Sequence, residues 1–235
     1  DQYWPLSGTV TTIYQPLNIS FDATFFGRTY GVLVFRAQGK NVYWKMISSE
    51  TRREVDFALD SLDAICTGKY KSFTIDGKPG IRQLLEERYL GIPVQYCQYH
   101  QIQTVRRYVS LNPKTEAGRA ILALTRRLSQ SLETEFETSF RVLQIIFGDF
   151  LKERNEKNNF MHRRLRSAFG SLQRNMPWLF MYQRFPDLNI PNTTNSCDGS
   201  FTHWKEKIAL HHGLRRHRRN KMIHFFLSNQ SHSIS

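Results

Sequence analysis

Leu17-Asn18-Ile19-Ser20-Phe21-Asp22 is a short apolar run that ends on an acid, and Phe73-Thr74-Ile75-Asp76 repeats that pattern later in the chain. A third run, Pro93 to Tyr99, carries Cys97-Gln-Tyr-His100 at its end. Runs of this length, rich in β-branched and aromatic residues and bounded by turn residues, read as β-strands. Acids at the ends of neighbouring strands converge at one edge of a sheet. There two divalent cations can be held roughly 3.5–4 Å apart for in-line phosphoryl chemistry.

Whether Asp22 and Asp76 are neighbours depends on the order of the strands. Tyr30 to Phe35 and Val42 to Ile47 follow the first run and are joined through Gln38-Gly39-Lys40-Asn41, a Gly-centred turn. The three runs therefore read as an antiparallel meander. From Ser49 to Ile65 the period changes: Val55, Leu59 and Leu62 fall on one helical face, acids occupy the first turns, and Ser49 is a candidate cap. Gly80 to Tyr89 is the next helix. Three meander strands, a helix, a strand, a helix and a strand is the order of an RNase H-like fold, an α/β architecture with a mixed five-stranded sheet flanked by helices. Its first and fourth strands are adjacent, which would set Asp22 beside Asp76.

Beyond this core, Thr115 to about Asn158 is strongly helical, with Ile121, Leu124, Leu128, Leu132, Phe136, Phe140, Leu143, Phe147 and Leu151 spaced by three or four. Met176-Pro177 is expected to end a helix before Trp178, and Phe185 to Pro191 reads as a loop. Asn192-Thr-Thr-Asn195 precedes a helix expected over Ser196 to His211, and Gly213 interrupts the basic run that follows. The organisation is thus a leading segment 1–16, the first part of the core at 17–112, an all-helical insertion at 113–191, and a closing segment 192–235.

The 235-residue chain carries a formal net charge of +13 and a pI near 9.9, with 40% apolar residues. A core of ordinary size follows, together with a surface that attracts a polyanion, and DNA is the expected partner. No apolar run reaches eighteen residues, so a membrane partner is not expected. The odd set Cys66, Cys97 and Cys197 fits a reducing compartment better than a disulfide framework, and the expected location is cytoplasmic, on the nucleoid when bound to DNA. The chain opens at Asp1 without methionine, and an amino-terminal module is expected to precede it.

Each candidate residue has a plainer alternative. Strand-end aspartates are ordinary turn residues, and Asp76-Gly77 is itself a turn dipeptide. Asp198 follows Asn195 by three residues, the spacing of a capping pair, yet a capped first turn is also the rigid setting that a metal ligand requires. Glu206 competes with it as third acid. Cys97 and His100 could form half of a zinc site with Cys197 and His203, although no close pair of cysteines anchors one. Cys97 is otherwise a small buried residue, and His100 a surface or capping histidine or a contact for a scissile phosphate. Lys205, Lys207, Arg215, Arg216, Arg218, Arg219 and Lys221 form a basic stretch that is either a solvated helix face or a phosphate-binding one. Arg163-Arg164-Leu165-Arg166 is a second, weaker patch.

The ordered set Phe21-Asp22-Ala-Thr-Phe, Thr74-Ile-Asp76-Gly77, Cys97-Gln-Tyr-His100 and Asn192-Thr-Thr-Asn195-Ser-Cys-Asp198-Gly199, followed by Trp204-Lys205 and His212-Gly213-Leu214, resembles the catalytic core of DDE/D transposases of bacterial insertion sequences. It is most similar to the branch related to Mutator-like elements, which carries Cys-x-x-His after the second acid. The resemblance spans Asp22 to Leu227. It implies an RNase H-like fold with a helical insertion, Mg²⁺ or Mn²⁺, hydrolytic cleavage at element ends, strand transfer into target DNA, and a homo-oligomer. Asp22, Asp76 and Asp198 match the three metal-binding catalytic acids, and Cys97 and His100 the accessory pair. Such families usually place glutamate where Asp198 stands. Two further readings stay open: an RNase H-like nuclease that cuts without joining, and a transposase-derived DNA-binding protein that has lost its chemistry.

Overall fold

The computed structural model describes residues 7–9, 12–28, 30–68, 70–194 and 215–230, together with Phe201, Glu206 and Gly213. Its strands are β1 (Ser7–Thr9), β2 (Leu17–Phe25), β3 (Gly31–Ala37), β4 (Lys40–Ile47), β5 (Tyr70–Ile75) and β6 (Val94–Tyr96). They form one mixed sheet in the order β1-β4-β3-β2-β5-β6. The β2/β3 and β3/β4 pairs are antiparallel, as a meander requires, whereas β5 runs parallel to both β2 and β6. This is the expected RNase H-like arrangement, with one addition. The leading segment contributes β1, antiparallel to β4 at the edge, so the sheet has six strands. The turn between β3 and β4 is carried by Gln38 and Gly39, both at positive φ (51° and 76°), the backbone that a two-residue hairpin turn demands.

Helix α1 (Arg52–Ile65) connects β4 to β5, and α2 (Pro79–Arg88) connects β5 to β6. Thr51, rather than Ser49, caps α1: its hydroxyl accepts from the Glu54 amide at 3.3 Å. Both faces of the sheet are covered. On one, Ile19, Phe21, Leu33, Phe35 and Phe73 pack with Val55, Leu59 and Leu62 of α1. On the other, Val32, Val34, Trp44 and Met46 meet Ile223 and Leu227 of the last helix, α9 (Arg216–Asn229). Trp44 Nε1 donates to His224 Nδ1 at 2.8 Å, and Asn41 Nδ2 donates to the Leu227 carbonyl at 2.9 Å, so the basic closing segment is tied into the core.

The third run ends earlier than its sequence indicates. β6 stops at Tyr96, Cys97 occupies the cap position, and α3 (Gln98–Val109) begins at once. This helix is poorly visible in sequence because its inward face is polar: Gln98 and Gln101 are buried beside Val105. Their amides are satisfied by α7 (Arg163–Leu179). Gln98 Nε2 donates to the Leu179 carbonyl at 2.9 Å, Gln101 Nε2 to Ser171 Oγ at 3.2 Å, and Asn175 Nδ2 to Gln101 Oε1 at 2.8 Å. Buried polar groups keep their place in a core when paired in this way.

Helices α4 (Glu116–Arg126), α5 (Glu133–Ile146), α6 (Gly148–Lys152) and α8 (Met181–Arg184) complete this region. The long apolar period expected from Thr115 to Asn158 is therefore interrupted, by a 3-10 turn at Leu128–Gln130 and by breaks around Phe147 and Glu153. Pro177 does not end its helix. It lies in the last turn of α7, where its ring removes the amide that would bond to the carbonyl four residues earlier, and buried Met176 and Leu179 on either side pack that turn into the core. The expected loop before Pro191 contains a short 3-10 turn, Pro186–Leu188.

Candidate active site

Strands β2 and β5 lie side by side in parallel register, Ile19 opposite Phe73 and Ser20 opposite Thr74, so Asp22 and Asp76 leave the same end of the sheet. Both line one cleft of about 450 Å³ with Glu50, Lys78, His100 and Phe201. Asp22 is on the strand and its side chain is only 10% exposed; Asp76, one residue past β5, is 25% exposed. Asp22 Oδ1 accepts from the Ala23 amide at 2.8 Å, while Oδ2 lies 3.9 Å from His100 Nε2. Three elements distant in the chain bring this pair and His100 to one place.

The cleft also holds a carboxylate that sequence reading passed over. Glu50 precedes the cap of α1, and its side chain is 9% exposed. Burial pushes its pKa up and the charge of Asp76 pushes it further, while Lys78 and His100 pull the other way. Lys78 Nζ donates to Glu50 Oε2 and stands 3.9 Å from Asp76 Oδ2, bridging the two acids. The only signal in sequence is an acid at the strand-to-helix junction, which is equally the signature of an ordinary helix start.

Cys97 and His100 adjoin this cleft. Cys97 is 1% exposed, and its sulfur accepts from the Thr194 amide at 3.2 Å and the Thr194 hydroxyl at 3.3 Å. Thr194 Oγ1 is also 3.3 Å from His100 Nδ1. Burial opposes the thiolate, but the hydrogen bonds from His100 and Thr194 outweigh it and hold the thiol below its ordinary range. Thr194 arrives along a pinned path. Asn18 Nδ2 donates to the Leu188 carbonyl at 2.8 Å, Thr74 Oγ1 to the Pro191 carbonyl at 2.7 Å, and the Gln98 amide to the Asn192 carbonyl at 2.9 Å.

Asp198, Cys197, His203, Lys205 and Lys207 lie outside the described residues. Glu206 is helical and exposed, and it is not among the described residues that line the cleft. No group of three His, Cys, Asp or Glu side chains among the described residues closes on one point. Asp22 and Asp76 supply hard oxygen donors of the kind Mg²⁺ and Mn²⁺ take. They fit a divalent cation as two members of a larger set.

Of the basic closing segment, Arg215, Arg216, Arg218 and Lys221 are exposed and Arg219 is half-buried, all at or near the start of α9. Arg216 lies 5.0 Å from the ring of Tyr30. Cations in a first helical turn are opposed by the helix dipole, and this turn contains no acid to offset them. The same sheet end carries both features, since Tyr30 opens β3 directly after the turn that follows Phe25, a cleft residue.

The strand order defines the class: a mixed α/β protein with the RNase H-like sheet arrangement. No family model matches the chain, and no curated protein matches it. Among solved structures it is similar to the large terminase nuclease of a thermophilic phage, at 13% identity and a TM-score of 0.29 over 54% of this chain and 73% of that one. It is also similar to a chain of the simian T-cell lymphotropic virus intasome bound to a PP2A regulatory subunit, at 14% identity and a TM-score of 0.27 over 73% of this chain and 53% of that one. The chain thus spans about half the length of the latter. Similarity this shallow leaves the fold class resting on the strand order itself. Among the described residues no helix is long and apolar enough to cross a membrane.

Proposed function

We propose that this chain is the catalytic core of a DDE/D-type DNA transposase, cleaving DNA at element ends and joining the freed 3′-hydroxyl to a target. The observation that carries this reading is the convergence in one cleft of Asp22, within β2, and Asp76, directly after the parallel neighbour β5. Asp198 is the third acid. Support comes from the anchors on either side of it: Thr194, tied to Cys97, and Phe201, which lines the cleft, lie four residues before and three residues after it. A span that short keeps Asp198 within roughly 14 Å of either anchor, and usually much less.

Asp22, Asp76 and Asp198 are the residues that would hold Mg²⁺ or Mn²⁺. When bound, the ions supply an activated water or 3′-hydroxyl and stabilisation of the leaving oxygen. The protein's own part is positional. The sheet fixes Asp22 and Asp76, the Cys97–Thr194 contact fixes the approach to Asp198, and His100 presents its ring toward Asp22 where a scissile phosphate would lie. Lys78 donates to Glu50 beside Asp76, which opposes the effect of burial on that carboxyl. The exposed cations at the start of α9 would draw the DNA backbone to the same sheet end. Function as a homo-oligomer on the nucleoid follows from this reading.

Joining separates this function from that of a nuclease that only cuts. Offered a pre-cleaved DNA end and a supercoiled plasmid with Mn²⁺, the protein should yield a joined product. Nicking with no joined product would establish the nuclease reading instead.

A further inference from the structure

Arg52, Arg82, Arg88 and Arg184 each meet a carboxylate: Glu87, Glu86, the trio Asp56, Asp60 and Asp63, and Glu133 respectively. Arg106, Arg107, Lys114, Arg163 and Arg164 come from three separate stretches of sequence, and among the described residues none of them is in an ion pair. Lys114, Arg163 and Arg164 line a cleft of about 470 Å³ in which no carboxylate appears among the lining residues. Arg164 donates to the Arg107 carbonyl, which ties the start of α7 to the end of α3. Arg106 and Arg107 end α3, where the helix dipole favours them. Arg163 and Arg164 open α7, where it does not, and that first turn has no acid.

Helix α3 links this basic cleft to the acids. Tyr99, in its first turn, is exposed and lines the acid cleft. Gln103, Arg106 and Arg107 follow at three- and four-residue spacing on the same outward side, Arg107 fully exposed and the other two partly so. The eight residue steps from Tyr99 to Arg107 cover roughly 12 Å of helix, about four base pairs of duplex at roughly 3.4 Å each.

We propose that duplex DNA leaving the acid cleft runs along this outer face of α3, with Arg106, Arg107, Lys114, Arg163 and Arg164 holding its phosphates from about four base pairs beyond the cut. This rests on the reading that the chain acts on DNA, and it assigns a second backbone contact distinct from the basic start of α9. Charge complementarity selects DNA: Lys114, Arg163 and Arg164 are the cations of the lining, and no carboxylate stands among the lining residues to repel a phosphate backbone.

The test is the salt dependence of binding to a random-sequence duplex of about 40 base pairs, by fluorescence anisotropy. The triple variant Arg107→Ala/Arg163→Ala/Arg164→Ala should flatten the slope of log K against log salt by about 2–3 units. The triple lysine variant should keep most of that slope, which separates lost charge from lost folding. As a control, Arg126→Ala/Arg127→Ala/Arg141→Ala removes three exposed arginines elsewhere. An unchanged slope in the first variant, an equal loss in the control, or no DNA binding by the parent would overturn the proposal. Polyglutamate competing as well as DNA would overturn it too, in favour of an acidic protein partner. Plasmid nicking by the parent is scored separately: a flattened slope without any nicking leaves this contact standing while the catalytic reading falls.

Discussion

Replacing Cys97 with alanine removes the sulfur that accepts from both the amide and the hydroxyl of Thr194, a residue with no exposed surface. The hydroxyl keeps His100 Nδ1 within 3.3 Å, so the amide is the group left without its acceptor. An unsatisfied buried donor costs about 1–3 kcal/mol, and the packing lost with the sulfur adds about 1 kcal/mol. For a chain of 235 residues, each kcal/mol lowers Tm by about 2–4 °C. Cys97→Ala should therefore melt roughly 5–15 °C below the parent in a calorimetric scan. Cys97→Ser keeps an acceptor at the same branch point and should recover at least half of the loss. Nicking assayed well below either Tm should fall in Cys97→Ala by more than the unfolded fraction explains, because Thr194 anchors the approach to Asp198. A Tm within about 1 °C of the parent would refute the claim that this sulfur holds the segment.

Lys78→Ala should leave Glu50 beside Asp76 without its cation and destabilise the fold by about 1–2 kcal/mol at neutral pH, discounted because Lys78 is partly exposed. Glu50 has a raised pKa in the fold, chiefly from burial, so protonation is favoured there over the unfolded chain. The deficit should therefore shrink as pH falls through that raised value, and Glu50→Gln added to Lys78→Ala should remove it, as denaturant titrations at several pH values would register. Tyr30 is held up to about 12, chiefly by burial and against the pull of Arg219 and Arg216, and it donates to Asn220 of α9. Its stabilising share is intact below about pH 10 and fades as pH rises toward 12, so Tyr30→Phe should show a shallower alkaline loss of stability than the parent across that window.

The fold was legible because the strands obey a simple rule, apolar runs ended by turn residues, and because the order of elements leaves few sheet arrangements. Asp22 and Asp76 came with it: once β2 and β5 are neighbours, their ends coincide. What stayed hidden had no apolar period to betray it. Helix α3 turns Gln98 and Gln101 inward, so its pattern reads as polar even though those amides are fully used by α7. The strand β1 is three residues long, too short for any period. Glu50 was missed because an acid before a helix is commonplace, and only the tertiary position of Lys78 distinguishes it. Pro177 misled in the opposite sense, since its cost depends on where in the helix it falls and not on its presence.

The central claim, that Asp22 and Asp76 form one metal-dependent cleavage site, is tested most directly by Mn²⁺-dependent nicking of supercoiled plasmid by the parent beside Asp22→Asn and Asp76→Asn. The account predicts nicking by the parent and a loss on the order of a thousandfold in each variant, equivalent to about 4 kcal/mol of transition-state stabilisation, with DNA binding retained. Nicking at the parental rate by either variant would contradict it.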